Sequence, residues 1–199
     1  MKKLASTLPN MVLSLGVITI LSAVLLAWVD NVTAGPIALA AQQKKIQAIQ
    51  SVAPTFDNNP IDDSWEWSPS QSARPYSVYP AFKDGKLVGA AVEAYSLNGF
   101  SGEVRVMYGF GASGDVTGYE VLSHAETPGL GARMNEWFRS DEGNRSVIGH
   151  NPGSENMTVV KDGGIIDAIT AATISSRAFL ESARGAYDAF VAYKEYKNE

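Results

Sequence analysis

The sequence predicts an α+β protein: an N-terminal transmembrane helix followed by an antiparallel β-sheet domain with flanking helices. Three observations carry this. Residues 11–29 contain no charged side chain. Residues 76–122 hold several short β-type runs separated by Gly-containing turns. Residues 175–194 place Phe179, Ala183, Ala186, Tyr187 and Phe190 at spacings of three and four, which draws one apolar face on a helix.

The elements follow in order. Residues 1–10 form a short tail carrying Lys2 and Lys3. Residues 11–29, mostly Val, Leu, Ile and Ala, give a helix about 29 Å long, matching the hydrocarbon thickness of a bilayer. Pro9 stands near its start, where a missing N–H costs little, and Trp28 near its far end suits the membrane interface. A cleaved signal peptide is the competing reading, with Val32, Thr33 and Ala34 as the cleavage site. The apolar run exceeds the usual 7–15 residues of a signal h-region, which favours an uncleaved anchor. Lys2 and Lys3 hold the N-terminus in the cytoplasm and direct the remaining chain outward. The topology expected is therefore a membrane crossed once, with the soluble domain on the outer side.

Residues 30–75 are expected to be a juxtamembrane helix and a loop. Gly35 and Pro36 read as a break, 37–52 as a short helix, and 54–75 as a loop rich in Asp, Asn, Ser and Pro. Asp57, Asn59 and Asp63 lack the ligand spacing of a calcium loop, since Ile61 stands where an oxygen is needed. Trp65 and Trp67 alternate, so both face one side of an extended segment and suit a satellite core. From Tyr76 the pattern is β. Residues 87–95, 103–110 and 116–122 read as an antiparallel meander, with turns at Asp84-Gly85 and at 111–115. Residues 126–134 form a Gly/Pro loop, 135–140 a short helix, and 157–166 a further hairpin turning at 161–164. The last helix spans 175–194.

Composition excludes much chemistry. There is no cysteine, hence no disulfide, thiolate metal site or cysteine nucleophile. Two histidines, His124 and His150, cannot build a multi-histidine metal centre, and no metal ligand is assigned. A net charge of −5 opposes a nucleic-acid footprint, and removing Lys2 and Lys3 makes the remainder more negative still.

Two small, polar, sharply punctuated segments remain. One is Glu126, Thr127, Pro128, Gly129, Leu130 and Gly131, where a fixed proline φ and two glycines make a turn that a planar ligand can approach closely. The other runs from Asp167 through Thr170, Ala171, Ala172, Thr173 and Ser175 to Ser176, directly into the final helix. Its hydroxyls either cap orphan N–H groups or sit where a helix N-terminus attracts phosphate.

Taken together, these segments, about forty residues apart on a β-rich domain behind one anchor, resemble the FMN-binding domain family. The likeness extends over the whole chain, through Gly99, Phe100, Ser101 and Gly102 as well. Within that family the pattern is most similar to the G subunits of the Rnf ion-translocating electron-transport complexes, which relate to the C subunits of the sodium-translocating NADH:quinone oxidoreductases. The resemblance implies that residues 76–199 are the FMN-binding domain. It implies covalent FMN, esterified through its phosphate to Thr173 by a flavin transferase. Thr170, Ala171, Ala172 and Ser175 would surround the phosphate, and Glu126, Thr127, Gly129, Leu130 and Gly131 the ring system. The implied function is a relay of electrons between ferredoxin and NAD, without a catalytic acid or base, beside other membrane subunits of the same complex. Membership of the quinone-reducing complex, or an assembly role with a decayed flavin site, are the alternatives. The family motif usually reads Ser-Gly-Ala-Thr, and this chain has Ala171 in place of glycine.

Overall fold

In the computed structural model, residues 7–69 and 74–198 are described; Lys2, Lys3 and residues 70–73 of the 54–75 loop lie outside them. The chain divides into two units, residues 1–44 and 45–199.

The described residues of the first unit are helical from Leu8 onward. Helix α1 (Leu8–Val52) is apolar enough over its N-terminal part to cross a membrane, and none of that part is buried. Leu13, Ile20, Leu25, Leu26 and Trp28 are all exposed, a surface that water does not tolerate and lipid does. The break expected at Gly35-Pro36 does not occur, because Pro36 lies inside the helix. Proline removes one i→i−4 bond and crowds the carbonyl four residues back. Here that single loss is outweighed by the bonds on either side and by the Ala-rich stretch that follows, Ala being the best helix former.

The second unit begins with the end of α1. A five-stranded antiparallel meander follows, in the order β1 (Trp65–Trp67), β2 (Tyr76–Lys83), β3 (Lys86–Gly99), β4 (Gly102–Gly111) and β5 (Val116–His124). β1 arises within the segment read as loop. Trp65 and Trp67 both turn inward, as the alternation predicts; Trp65 packs 5.7 Å from Tyr193 and Trp67 6.1 Å from Tyr76, ring centre to ring centre. At Asp84-Gly85 both central residues have positive φ (50° and 73°), the condition for a two-residue hairpin that follows strand twist.

The alternation read in β4 is real. Val104, Val106, Tyr108 and Phe110 face the main core, while Met107 faces a second, smaller one. The main core is closed by α3 (Thr173–Asn198), which lays Phe179, Ala183, Ala186 and Phe190 across β3 and β4. Phe179 stacks on Phe138 at 4.3 Å and meets Tyr119 edge-on at 4.9 Å. Tyr108 is fully buried; its hydroxyl donates to the Phe179 carbonyl (2.8 Å) beside Ser182 Oγ (2.9 Å), and burial pushes its pKa well up. On the other sheet face, Ala48, Ile49 and Val52 of α1 pack against Tyr79, Ala91 and Met107. Gly109 and Gly118, register partners in β4 and β5, form the trough that admits Val52: a side chain at Gly109 would collide with the Val52 carbonyl.

The hairpin expected at 157–166 is absent. A 3₁₀ turn, Val160–Asp162, opens a loop that carries the chain back alongside itself in the same direction, so that Val159 and Ile166 meet in one isolated parallel bridge. With Val159 and Ile166 both buried in the main core, burying these two side chains sets the path, and no ladder extends from it. The short helix appears as a 3₁₀ turn (Gly131–Arg133) running into α2 (Met134–Trp137).

Candidate functional site

Two tight turns and one hairpin tip converge at the N-terminus of α3. In the first turn, Leu130 N–H donates to the Thr127 carbonyl (3.1 Å), with Pro128 second and Gly129 third at φ +76°. This is the type II arrangement, in which Pro presets the second position and only glycine sits easily at the third. In the second turn, Ala172 N–H donates to the Ile169 carbonyl (2.9 Å), and the third residue, Ala171, has φ +60°. The backbone therefore takes a glycine conformation at 171 although the residue is alanine. The hairpin tip, residues 99–102, joins β3 to β4 and carries Phe100 exposed.

Between them lies a half-open cavity of about 320 Å³, lined by Phe100, Glu126, Thr127, Leu130, Gly131 and residues 171–175. Ligand pockets begin at about 300 Å³. Thus eight of the ten residues expected from sequence line one cavity. Gly129 and Thr170 are not among its lining residues; each instead belongs to a turn that shapes the wall. Phe100 and Ile174 were not expected there. Their only signal in the sequence was an apolar residue within a polar turn or cap.

The polar groups divide into committed and free. Ser175 is buried, and its hydroxyl donates to Glu126 Oε2 (2.6 Å). That proton is therefore not directed at a phosphate. Ser176 ties the 169–172 turn to α3: its hydroxyl accepts from Ile169 N–H (2.9 Å) and donates to the Ala172 carbonyl (2.9 Å). Asp167 is a staple. Its N–H donates to the Asn144 carbonyl (2.7 Å), a carboxylate oxygen accepts from Asn144 N–H (3.0 Å), and its carbonyl accepts from Trp137 Nε1 (2.9 Å). Arg177, one turn into α3, donates twice to Asp162 (both 2.7 Å), which holds that carboxyl below its usual pKa.

Thr173 differs from these. It is half-buried, it is the first residue of α3, and its hydroxyl has no hydrogen-bond partner among the described residues. The N–H groups of residues 173–175 likewise find no acceptor among them, as the geometry of a helix start requires. A free hydroxyl, three free donors and the positive end of a 26-residue helix thus face one small cavity. Chemically this suits a phosphate monoester whose remaining oxygens accept backbone hydrogen bonds. The walls supplied by Phe100, Leu130 and Ile174 suit an apolar, planar group.

The FMN-binding domain family matches residues 99–188, a span that contains the hairpin tip, both turns and most of α3. Among curated proteins, the chain is 37% identical over 152 residues to the G subunit of the ion-translocating oxidoreductase complex of Erwinia tasmaniensis, covering 72% of this chain and 70% of the relative. The corresponding G subunit of Cereibacter sphaeroides is 33% identical over 172 residues, covering 83% and 76%. That of Vibrio cholerae is 31% identical over 184 residues, covering 88% and 87%.

Proposed function

This chain belongs to the family of G subunits of ion-translocating oxidoreductase complexes, and on that premise we propose that it is a membrane-anchored flavoprotein that carries FMN as a phosphoester on Thr173. The observation that carries the reading is the Thr173 hydroxyl, without a hydrogen-bond partner among the described residues, in the lining of a cavity shared by both motifs. When bound, FMN supplies the one- and two-electron chemistry; the protein supplies placement and electrostatics.

The residues divide the work. Thr173 Oγ1 is the point of attachment. The N–H groups of residues 173–175 hold the phosphate oxygens, and the helix dipole favours their charge. Thr170, exposed on the turn, flanks them. Ala171 and Ala172 keep the approach to the phosphate free of bulk. Phe100, Leu130 and Ile174 exclude water from the ring, while Thr127, Gly129 and Gly131 let backbone come close to it. A flavin transferase would make the ester from a flavin pyrophosphate donor: the Thr173 O–P bond forms, the donor's P–O–P bond breaks, a nucleoside monophosphate leaves and the hydroxyl proton goes to solvent. The FMN domain lies on the outer side of the membrane, where free FMN is scarce; a covalent link makes occupancy independent of its concentration. Electrons pass between this site and other membrane subunits of the same complex, the overall couple being ferredoxin and NAD. The anchor of α1 confines the site near those partners and raises its effective concentration.

The test is intact-mass spectrometry of the protein from cells that contain the transferase. The wild-type mass carries one FMN phosphoryl adduct; Thr173→Ala loses it and stays folded, and Thr173→Ser retains it. An unmodified wild-type mass removes the proposal and leaves Thr173 as an ordinary first residue of a helix.

A further inference from the structure

Glu126 is 5% exposed, yet no cation stands against it among the described residues. Its carboxylate is met by two neutral donors from two different segments. Ser175 Oγ of α3 donates to Oε2 (2.6 Å), and Ser101 N–H of the hairpin tip donates to Oε1 (3.1 Å). A buried carboxylate is costly unless it is well hydrogen-bonded, so its presence here calls for a gain elsewhere.

The surrounding backbone is cut to fit this group. A Cβ at Gly131 would lie 2.5 Å from both Glu126 Oε2 and Ser175 Oγ. A Cβ at Gly99 would lie 2.7 Å from Glu126 Oε1. Two glycines, on two separate segments, therefore leave room for one side chain. Glu126 also receives its own fixing, since its N–H donates to His124 Nδ1 (3.2 Å) at the end of β5.

Building on the FMN reading above, we infer that Glu126 is a positioning residue, a clamp that ties the first turn of α3 to the 99–102 hairpin tip and so holds the two walls of the cavity at a fixed separation around the flavin. It acts through Ser175 and Ser101 and by hydrogen bonding. Its negative charge is not the working element. Glutamine can reproduce both bonds, with Oε1 accepting from Ser101 N–H and Nε2 donating to Ser175 Oγ; alanine can reproduce neither.

Two measurements on the full-length protein in detergent test this. The first is amide hydrogen exchange on protein from cells lacking the transferase, so that no flavin is present. Ser175→Ala and Glu126→Ala speed exchange of the 99–102 amides by about fivefold or more, the worth of one ordinary hydrogen bond, while Glu126→Gln stays within about twofold of wild type. The second is flavin fluorescence anisotropy on protein from cells with the transferase: Glu126→Ala keeps the FMN adduct by mass but lowers the anisotropy, and Glu126→Gln restores it. Unchanged exchange at 99–102 in Ser175→Ala, a glutamine variant as loose as alanine, or unchanged anisotropy in Glu126→Ala overturns the clamp. If wild type carries no FMN mass, the functional proposal falls, and the exchange measurement still decides whether Glu126 joins the two segments.

Discussion

Replacing Ala171 by glycine will stabilise this protein, which is the reverse of what a glycine substitution beside a helix usually does. Ala171 has φ +60°. For a residue with a Cβ, the left-handed region costs roughly 1–2 kcal/mol. Glycine removes that cost but gains freedom in the unfolded chain, worth roughly 0.4–1 kcal/mol against it. The Ala171 methyl is exposed, so its loss forfeits little burial. The balance is about 0.5–1 kcal/mol in favour of glycine, or a rise in Tm of about 1–4 °C for a chain of this size. The assay is thermal unfolding by circular dichroism in detergent, with Ala171→Val as the opposing control; a β-branched side chain at positive φ must lower Tm. The FMN-labelled fraction, read by intact mass, is maintained or increased in Ala171→Gly. A glycine variant that melts below wild type would refute the reasoning, because it would mean that residue 171 does not occupy the left-handed region in solution.

Four further outcomes follow. Gly131→Val drives a side chain into Glu126 and Ser175, whereas Gly129→Val meets open space and suffers only from its positive φ; both disturb the flavin absorption spectrum, and Gly131→Val loses the more stability by thermal melt. Leu130→Ala leaves the ester intact by mass but alters that spectrum, since Leu130 is a cavity wall. Tyr108→Phe removes a buried hydroxyl from the Phe179 carbonyl and costs about 1 kcal/mol, or about 2–4 °C in Tm, with no change in labelling. The mature chain keeps residues 1–29 and resists carbonate extraction; an N-terminus near Gly35 by sequencing would show that the apolar segment had been a signal peptide.

The sheet was readable because its information is local. Alternation in 103–110 and Gly-containing turns at 85 and 111–115 specify strands and their reversals without reference to distant parts of the chain. Long-range effects were not readable. β1 exists because Trp65 and Trp67 find Tyr193 and Tyr76, which no window around residue 65 contains. Continuity of α1 through Pro36 depends on the helix on both sides outweighing one missing bond. Residues 157–166 carry a hairpin's turn signal, yet Val159 and Ile166 pair in parallel because both are drawn into the main core. At the site, 126–131 was visible as a turn, whereas 167–176 was visible only as the polar approach to a helix, its turn at 169–172 hidden because Ala171 carries no glycine signal. That the two form one cavity came only from the family resemblance, because a forty-residue separation says nothing about proximity. The Glu126–Ser175 bond was invisible for the same reason, and it changes the role expected of Ser175 from phosphate ligand to partner of a buried carboxylate.

The strand order has a temporal consequence. Every sheet pairing joins strands that are consecutive in sequence, so β1 to β5 can assemble by successive hairpins as the chain emerges, with little loop closure to overcome. The core they expose stays open until the 26 residues of α3 arrive, since Phe179, Ala183, Ala186 and Phe190 all come from α3. The cavity needs Phe100, Glu126, Thr127, Leu130, Gly131 and residues 171–175 at once. It therefore comes into existence in the same event that seals the core, and a ribosome-bound or truncated chain lacking α3 offers no acceptor site. On the proposed function, flavin attachment would be timed by the fold itself: only a completed domain presents the Thr173 hydroxyl in place.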